Sequence, residues 1–351
     1  MSRPPVVVRP VEPADAGQLR ALADLLDTVN LPDDPVVLDR IIADSQTGFA
    51  ALAGAALTTV GHAAFTFVAV ETGPAGPGDG PDHDRLLGTG SVFAVHGTPE
   101  EPHYYLTVHA GQVTSRQLGE TRSRTVLRLG RDTEPWTELG GLIVHPQERG
   151  RGVGRLLVAA RLLLIAQHPA AFCARVLVEL LPDRRADGGN AFWDAVGRPL
   201  TGLDYYRADL LCRTDKEFIE AFFPHEELVA DLLPPEAQAL IAHEGPATTP
   251  VRALLAKAGF RWLGTIDPFD AGPHDGAAVA EIAPIQRSRR LIHLDLPRTT
   301  AAPTALVMTT GHCSAALACE VVGQGLRLAT EDAARLGLCP GDEAWVMPLD
   351  W

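Results

Sequence analysis

ELGGLIVHPQERGRGVGRLL, residues 138–157, joins an apolar strand to a helix through a loop of glycines and arginines. Glycines let a backbone turn tightly with its N–H groups pointing inward, and a helix N-terminus adds positive dipole potential. Together they make a cradle for a pyrophosphate-like anion. Gly150, Gly152, Val153 and Gly154 supply the backbone, while Arg149, Arg151 and Arg155 add full positive charges. A P-loop requires Lys-Ser/Thr after its glycines, and none follows here. A dinucleotide fingerprint begins at Gly150-Arg151-Gly152 but fails at its third position, which is Arg155.

Outward from this stretch the chain reads as α/β. Upstream, Val6–Val11 reads as a strand, 21–29 and 36–44 as helices, and 63–71 with 86–95 as a strand hairpin. Strand character returns at 103–114, 124–130 and 136–146. The segment 72–84 has turn formers at nearly every position and is expected to be a flexible loop. Downstream, 152–168 is a strong helix interrupted by Arg161, and 174–182 is a continuous apolar run expected of a central strand. Helices are expected at 190–197, 215–223, 225–232, 234–243 and 249–259, with a strand at 260–266. The tail carries short strands and Pro-Gly-Asp turns. The expected division is a large α/β domain over 1–286 and a small β-rich module over 287–351.

The chain has 351 residues and a formal net charge of −14. Such a balance repels phosphate backbones, so nucleic acid and anionic membrane are excluded as main partners. A cationic small molecule suits it better. The N-terminus lacks the apolar stretch of a signal peptide, and no run approaches the roughly 18 apolar residues of a membrane span. The five cysteines are odd in number and form no CxxC pair. That indicates neither a disulfide framework nor a zinc site, and points to a cytoplasmic protein without metal.

The order strand, Pro146, Arg149, Gly152, Gly154, helix resembles the acetyl-CoA motif of the GNAT acyltransferase superfamily. The resemblance implies a mixed sheet flanked by helices. It also implies that Leu142, Ile143 and Val144 line the pantetheine and that residues 149–155 hold the phosphates.

Further blocks are similar to the arginine N-succinyltransferase family. They are VVRPVEPAD (7–15), LPDD (31–34), FWDAVG (192–197), LDYYRADLLC (203–212), EAQALI (236–241), TPVRALLAKAGFRW (249–262), IDPFDAGP (266–273) and LRLATEDAARLGLCPGD (326–342). YYRAD and FDAGP are the most specific, because generic acetyltransferases lack them. The resemblance implies transfer of succinyl from succinyl-CoA to the α-amino group of L-arginine or a related basic amino acid. It also implies an oligomer, with itself or with a related subunit. Leu142 falls on the family's succinyl-CoA-binding leucine. The family's catalytic histidine precedes a proline before the segment matching TPVRALL; here Gly245 stands in that place, and His243 lies two residues upstream.

An arginine α-amino group is largely protonated near neutral pH, so its attack requires a base. The candidates are His243, Glu138 and His225. A guanidinium calls for carboxylates, and Asp204, Asp209, Asp267 and Asp270 sit in the family-specific blocks. Arg207 is a candidate clamp for a substrate carboxylate, or the structural partner of Asp204 or Asp209. His103 and Tyr104 are candidates for the acceptor cleft. Two rival readings keep the same loop: an acyltransferase with another acyl donor or amine, and a non-catalytic CoA-binding partner subunit.

Overall fold

The computed structural model describes residues 5–26, 34–54, 61–71, 84–185, 188–212, 216–296, 298 and 303–351. The expected loop 72–84 lies outside them except for Asp84, and LPDD except for Asp34. Asp34 caps the helix that follows, its Oδ1 accepting the Val36 N–H at 2.9 Å.

In chain order the strands are β1 Val6–Pro10, β2 Ala64–Glu71, β3 Arg85–His96, β4 His103–Ser115, β5 Glu120–Asp132, β6 Trp136–Val144, β7 Arg175–Glu179, β8 Leu228–Val229, β9 Arg261–Ile266 and β10 Pro273–Ala278. The tail adds β11 Arg289–His293, β12 Thr304–Thr309, β13 Ser314–Ala318, β14 Glu320–Val322, β15 Gly325–Arg327 and β16 Glu343–Pro348. All lie in one mixed sheet, ordered β14-β15-β11-β16-β12-β13-β1-β2-β3-β6-β7-β10-β9-β4-β5-β8. The tail expected as a separate module is stitched to the rest through β1 and β13 (Val7 opposite Ala315). It also shares a core with the N-terminal helices: Leu19, Leu22, Leu38 and Ile42 pack with Leu317, Leu326 and Val346.

Three helices matter for the site. α1 Ala16–Leu26 and α2 Pro35–Ala53 carry the amphipathic patterns expected near them, and α3 Val153–Gln167 follows the glycine loop. α3 is apolar on most of its circumference because it is buried on most sides, by β3, β6 and the tail strands β12 and β16. Helix was expected at 225–232 and 234–243. The structure has instead β8, a single 3₁₀ turn and the short helix Pro235–Gln238. Leu233-Pro234-Pro235 breaks the run: neither proline has an N–H, and the residue before a proline avoids the helical region.

A third core lies beyond β4 and β9, around Trp193. Trp193 is fully buried, stacks on Phe269 with ring centroids 4.7 Å apart, and donates its indole N–H to the Leu203 carbonyl at 3.0 Å. Trp193→Ala is expected to cost about 3–5 kcal/mol of stability, measured by urea unfolding. A loss below about 1 kcal/mol would mean that this core collapses to fill the space.

Candidate active site

β6 and β7 run parallel, but their ladder holds only Thr137 with Val176 and Glu138 with Leu177. Beyond Glu138, β6 follows β3 (Gly88 opposite Val144, Thr89 opposite Ile143) while β7 follows β10 (Glu179 opposite His274). The two strands therefore splay, and the edge of Leu142–Val144 turned away from β3 has no strand partner among the described residues.

The cause of the splay is local. The β3–β6 register shifts between Ser91–Gly140 and Thr89–Ile143, with Gly141 at φ +58°. That is a bulge, and bulges bend the strand carrying them. Arg161, buried on α3, braces it from beneath. Its guanidinium donates to the carbonyls of Gly140 (3.1 Å), Ser91 (3.2 Å) and Leu157 (3.2 Å). Burial lowers the pKa of Arg161 to about 10, which still leaves it charged at neutral pH.

β6 then runs into the glycine loop. Gly150 and Gly152 take φ of +79° and +81°, conformations that a side chain would strain. The first helical bond runs from the Leu156 N–H to the Gly152 carbonyl. The N–H groups of Val153, Gly154 and Arg155 thus precede any intrahelical acceptor and remain available to an anion.

The three loop arginines have different surroundings. Arg149 is exposed, with no carboxylate partner among the described residues. Arg151 is engaged otherwise: it pairs with Glu148 and with Glu71 at 2.6 Å, and Arg85 bridges the same two carboxylates at 2.8 Å each. Arg155 points to the tail, donating to the carbonyl of Leu349 and to an oxygen of Trp351 at 2.7 Å. Of the three charges expected at the phosphates, Arg151 and Arg155 therefore fasten the loop to the fold, and only Arg149 is unengaged.

The Glu71–Glu148–Arg85–Arg151 cluster has a pH consequence. Burial pushes Glu71 and Glu148 upward. The hydrogen bonds and charges of the two arginines outweigh it and hold both below the ordinary 4.5. A carboxyl with a lowered folded pKa adds stability above its unfolded value, and that stability is lost as pH falls through the folded value. Arg151→Ala is therefore expected to cost about 1–3 kcal/mol at pH 7, with the difference from wild type shrinking below pH 4. Thermal melts at several pH values check this; a difference that persists at low pH would contradict it.

Across the splay, on the sheet face opposite α3, a group of ionisable side chains converges. His96 Nδ1 lies 3.1 Å from Glu138 Oε2, and His96 Nε2 lies 2.9 Å from His103 Nδ1. Glu179 Oε1 approaches His103 Nδ1 at 3.5 Å and His96 Nε2 at 3.9 Å. The His274 ring lies tilted against that of His103 with centroids 5.0 Å apart, and its Nδ1 is 3.3 Å from Thr265 Oγ1. Asp267 continues the group towards Glu179 and His274. Burial lowers His96 to about 3, drives His103 and His274 well below 6.5, and raises Glu138 and Glu179.

FDAGP closes this acidic end. Asp267 Oδ1 accepts the N–H groups of Phe269 (2.7 Å) and Asp270 (3.1 Å), and Asp270 Oδ1 accepts that of Gly272 (2.7 Å). Burial lifts Asp267 to about 6 and raises Asp270 well above the ordinary 3.8, each in the field of Asp209. A cation entering this acidic end would be stabilised by all three carboxylates.

The profile described as "Arginine N-succinyltransferase beta subunit" covers residues 6–284. The chain belongs to the arginine N-succinyltransferase family.

An arginine N-succinyltransferase of Enterobacter sp. (strain 638) is 30% identical over 288 residues, spanning 81% of this chain and 79% of that one. That of Yersinia enterocolitica is 27% identical over 351 residues, covering 97% of both. Among solved structures, the arginine/ornithine succinyltransferase subunit AI of Pseudomonas aeruginosa superposes with a TM-score of 0.79 at 26% identity. The match covers 99% of this chain and 100% of that one.

Against this family, the place of its catalytic histidine is instructive. A Cβ built on Gly245 would meet the backbone of Pro182 and Asp183 at 2.9 Å, and the Gly245 N–H bonds the Leu181 carbonyl at 2.9 Å. On the other side, a Cβ on Gly272 would lie 2.3 Å from the Leu180 carbonyl. Segment 180–183 is gripped between two glycines, with no space for an imidazole at 245.

His243 lies apart from the ionisable group. It is exposed, with its Nδ1 turned to the Ile241 carbonyl at 2.8 Å, and among the described residues no hydrogen bond or ion pair joins it to the His96–Glu138 group. His225 is also exposed, against the Glu220 carbonyl. Asp204 caps the helix Tyr205–Cys212, accepting the Arg207 N–H at 2.8 Å, and both side chains are largely in water. Tyr104 alternates away from His103 into the third core, hydrogen-bonded to Glu220. The fold thus gathers Glu138, His103, Asp267, Asp270 and Asp209, and leaves His243, His225, Asp204, Arg207 and Tyr104 elsewhere.

His96, Glu179 and His274 went unnoticed in the sequence. Glu179 had a signal: it is the lone carboxylate in the apolar run ARVLVELLP, whose other charge, Arg175, stands at its start, and a charge within a central apolar run is costly unless used. His96 and His274 had none.

Proposed function

We propose that this acyltransferase moves succinyl from succinyl-CoA to the α-amino group of L-arginine or a close basic relative by direct attack. The observation that carries this reading is the splay. It opens a free strand edge leading to the glycine loop on one side, and an acidic face headed by Glu138 on the other. Pantetheine lies along Leu142–Val144 and adds backbone hydrogen bonds to the free edge. The pyrophosphate rests on the N–H groups of Val153, Gly154 and Arg155, with Arg149 beside it. The acceptor cation enters the side lined by Asp267, Asp270 and Asp209. Glu138, held in place by His96, receives the ammonium proton directly or through one water. The amine then attacks the thioester carbonyl and the C–S bond breaks; the second proton lost from the amine nitrogen passes to the departing sulfur, and CoA leaves as thiol. A related subunit or a second copy completes the assembly, and the reaction is placed in the cytoplasm.

Thiol release from succinyl-CoA with arginine, ornithine, lysine and agmatine tests the reading. The expected result is turnover with arginine or ornithine, a product heavier by one succinyl group, and little turnover with agmatine, which lacks the α-carboxylate. A product carrying another acyl group would favour a changed donor. CoA binding with no turnover on any amine would favour a partner subunit.

A further inference from the structure

We infer that His96 Nε2, His103 Nδ1 and Glu179 Oε1 form a binding site for a divalent first-row transition metal, with zinc the best fit. The three atoms are separated by 2.9, 3.5 and 3.9 Å. The point equidistant from them lies about 2.0 Å from each, and Zn–N and Zn–O bonds are about 2.0–2.2 Å long. Two imidazoles and one carboxylate are a recognised open zinc ligand set, leaving a fourth position for water or a donor atom of the acceptor. A hydrogen bond accounts for the 2.9 Å approach of the two rings. It does not account for the carboxylate oxygen drawn to both nitrogens at distances too long for hydrogen bonding.

Three further observations point to a cation here. His96 has the outer partner of a zinc-bound histidine: its Nδ1 faces Glu138 Oε2 at 3.1 Å, which directs the Nε2 lone pair to the site. His274, fully buried beside His103, has an Nε2 with no hydrogen-bond partner. Its ring also belongs to a second convergent set, with Glu179 and Asp267. The charges are unbalanced as well: Glu138, Glu179, Asp267 and Asp270 lie together, with Lys216 acting on the first three and Arg184 on Asp270. The Glu179 side chain keeps 33% of its surface in solvent, which provides the entry path.

The test uses untagged full-length protein, stripped with chelator, equilibrated with zinc chloride and gel-filtered before elemental analysis. One zinc per chain is expected, along with a higher melting temperature. His103→Ala and Glu179→Gln are each expected to weaken binding at least tenfold, without change in circular dichroism. Cobalt(II) loading of the wild type reads the ligands directly, whether or not the variants fold. The visible band of a four-coordinate nitrogen–oxygen site is expected. A sulfur-to-cobalt charge-transfer band would overturn the proposal, since it would place the metal on a cysteine. So would a wild type that retains no more zinc than the Glu179→Gln chain. Zinc binding is read without turnover, so its failure leaves the succinyl-transfer reading standing, and the converse holds too.

Discussion

Glu138→Gln is expected to lower kcat for arginine succinylation about 10²–10³-fold, the usual loss when a positioned base is removed. The KM for succinyl-CoA is expected to stay within about twofold, because the donor contacts are made further along β6 and in the glycine loop. Glutamine keeps the size of the side chain, which matters because space here is tight. A Cβ on Gly140 would lie 3.0 Å from Glu138 Oε1 and 2.9 Å from the Phe93 ring. The control is His243→Ala, expected to change kcat by less than about twofold, as for any exposed residue without contact to the reacting group. Steady-state kinetics on the three proteins decide. A collapse in His243→Ala with near-normal Glu138→Gln would transfer the base to the 243 loop.

Gly245→His restores the family's residue and is expected to harm the enzyme. The new Cβ would meet the Pro182 and Asp183 backbone at 2.9 Å. Backbone cannot rotate away as a side chain can, so the expected cost is about 1–3 kcal/mol of stability. The same shift would move Leu180 and Pro182, which continue from β7 and Glu179, so kcat is expected to fall. Chemical unfolding and turnover measured on the same preparation check both halves. A stable variant with raised activity would show that the 243–246 loop can open to admit an imidazole, and would restore the family's own base.

These expectations separate what is local from what is not. The glycine loop was legible because its chemistry is local: positive φ at Gly150 and Gly152, and free N–H groups at a helix start, follow from adjacent residues. The FDAGP turn was legible for the same reason, since Asp267 and Asp270 bond N–H groups two or three residues away. The fates of Arg151 and Arg155 were not legible. Their partners, Glu71 and the 349–351 tail, are 80 and almost 200 residues distant.

The sequence by itself therefore determined the α/β class, the glycine loop at the helix start and the acidic turn, which rest on short-range geometry, and the family, which rests on matching blocks along the chain. The tertiary structure alone decided which ionisable groups meet. His96, His103, Glu138, Glu179 and His274 come from five strands, β3, β4, β6, β7 and β10. Strand pairing sets their register, and a shift of one residue would send any of them to the other face of the sheet. It alone also decided that Gly245 is closed to a side chain, because the obstruction is backbone some sixty residues earlier in the chain.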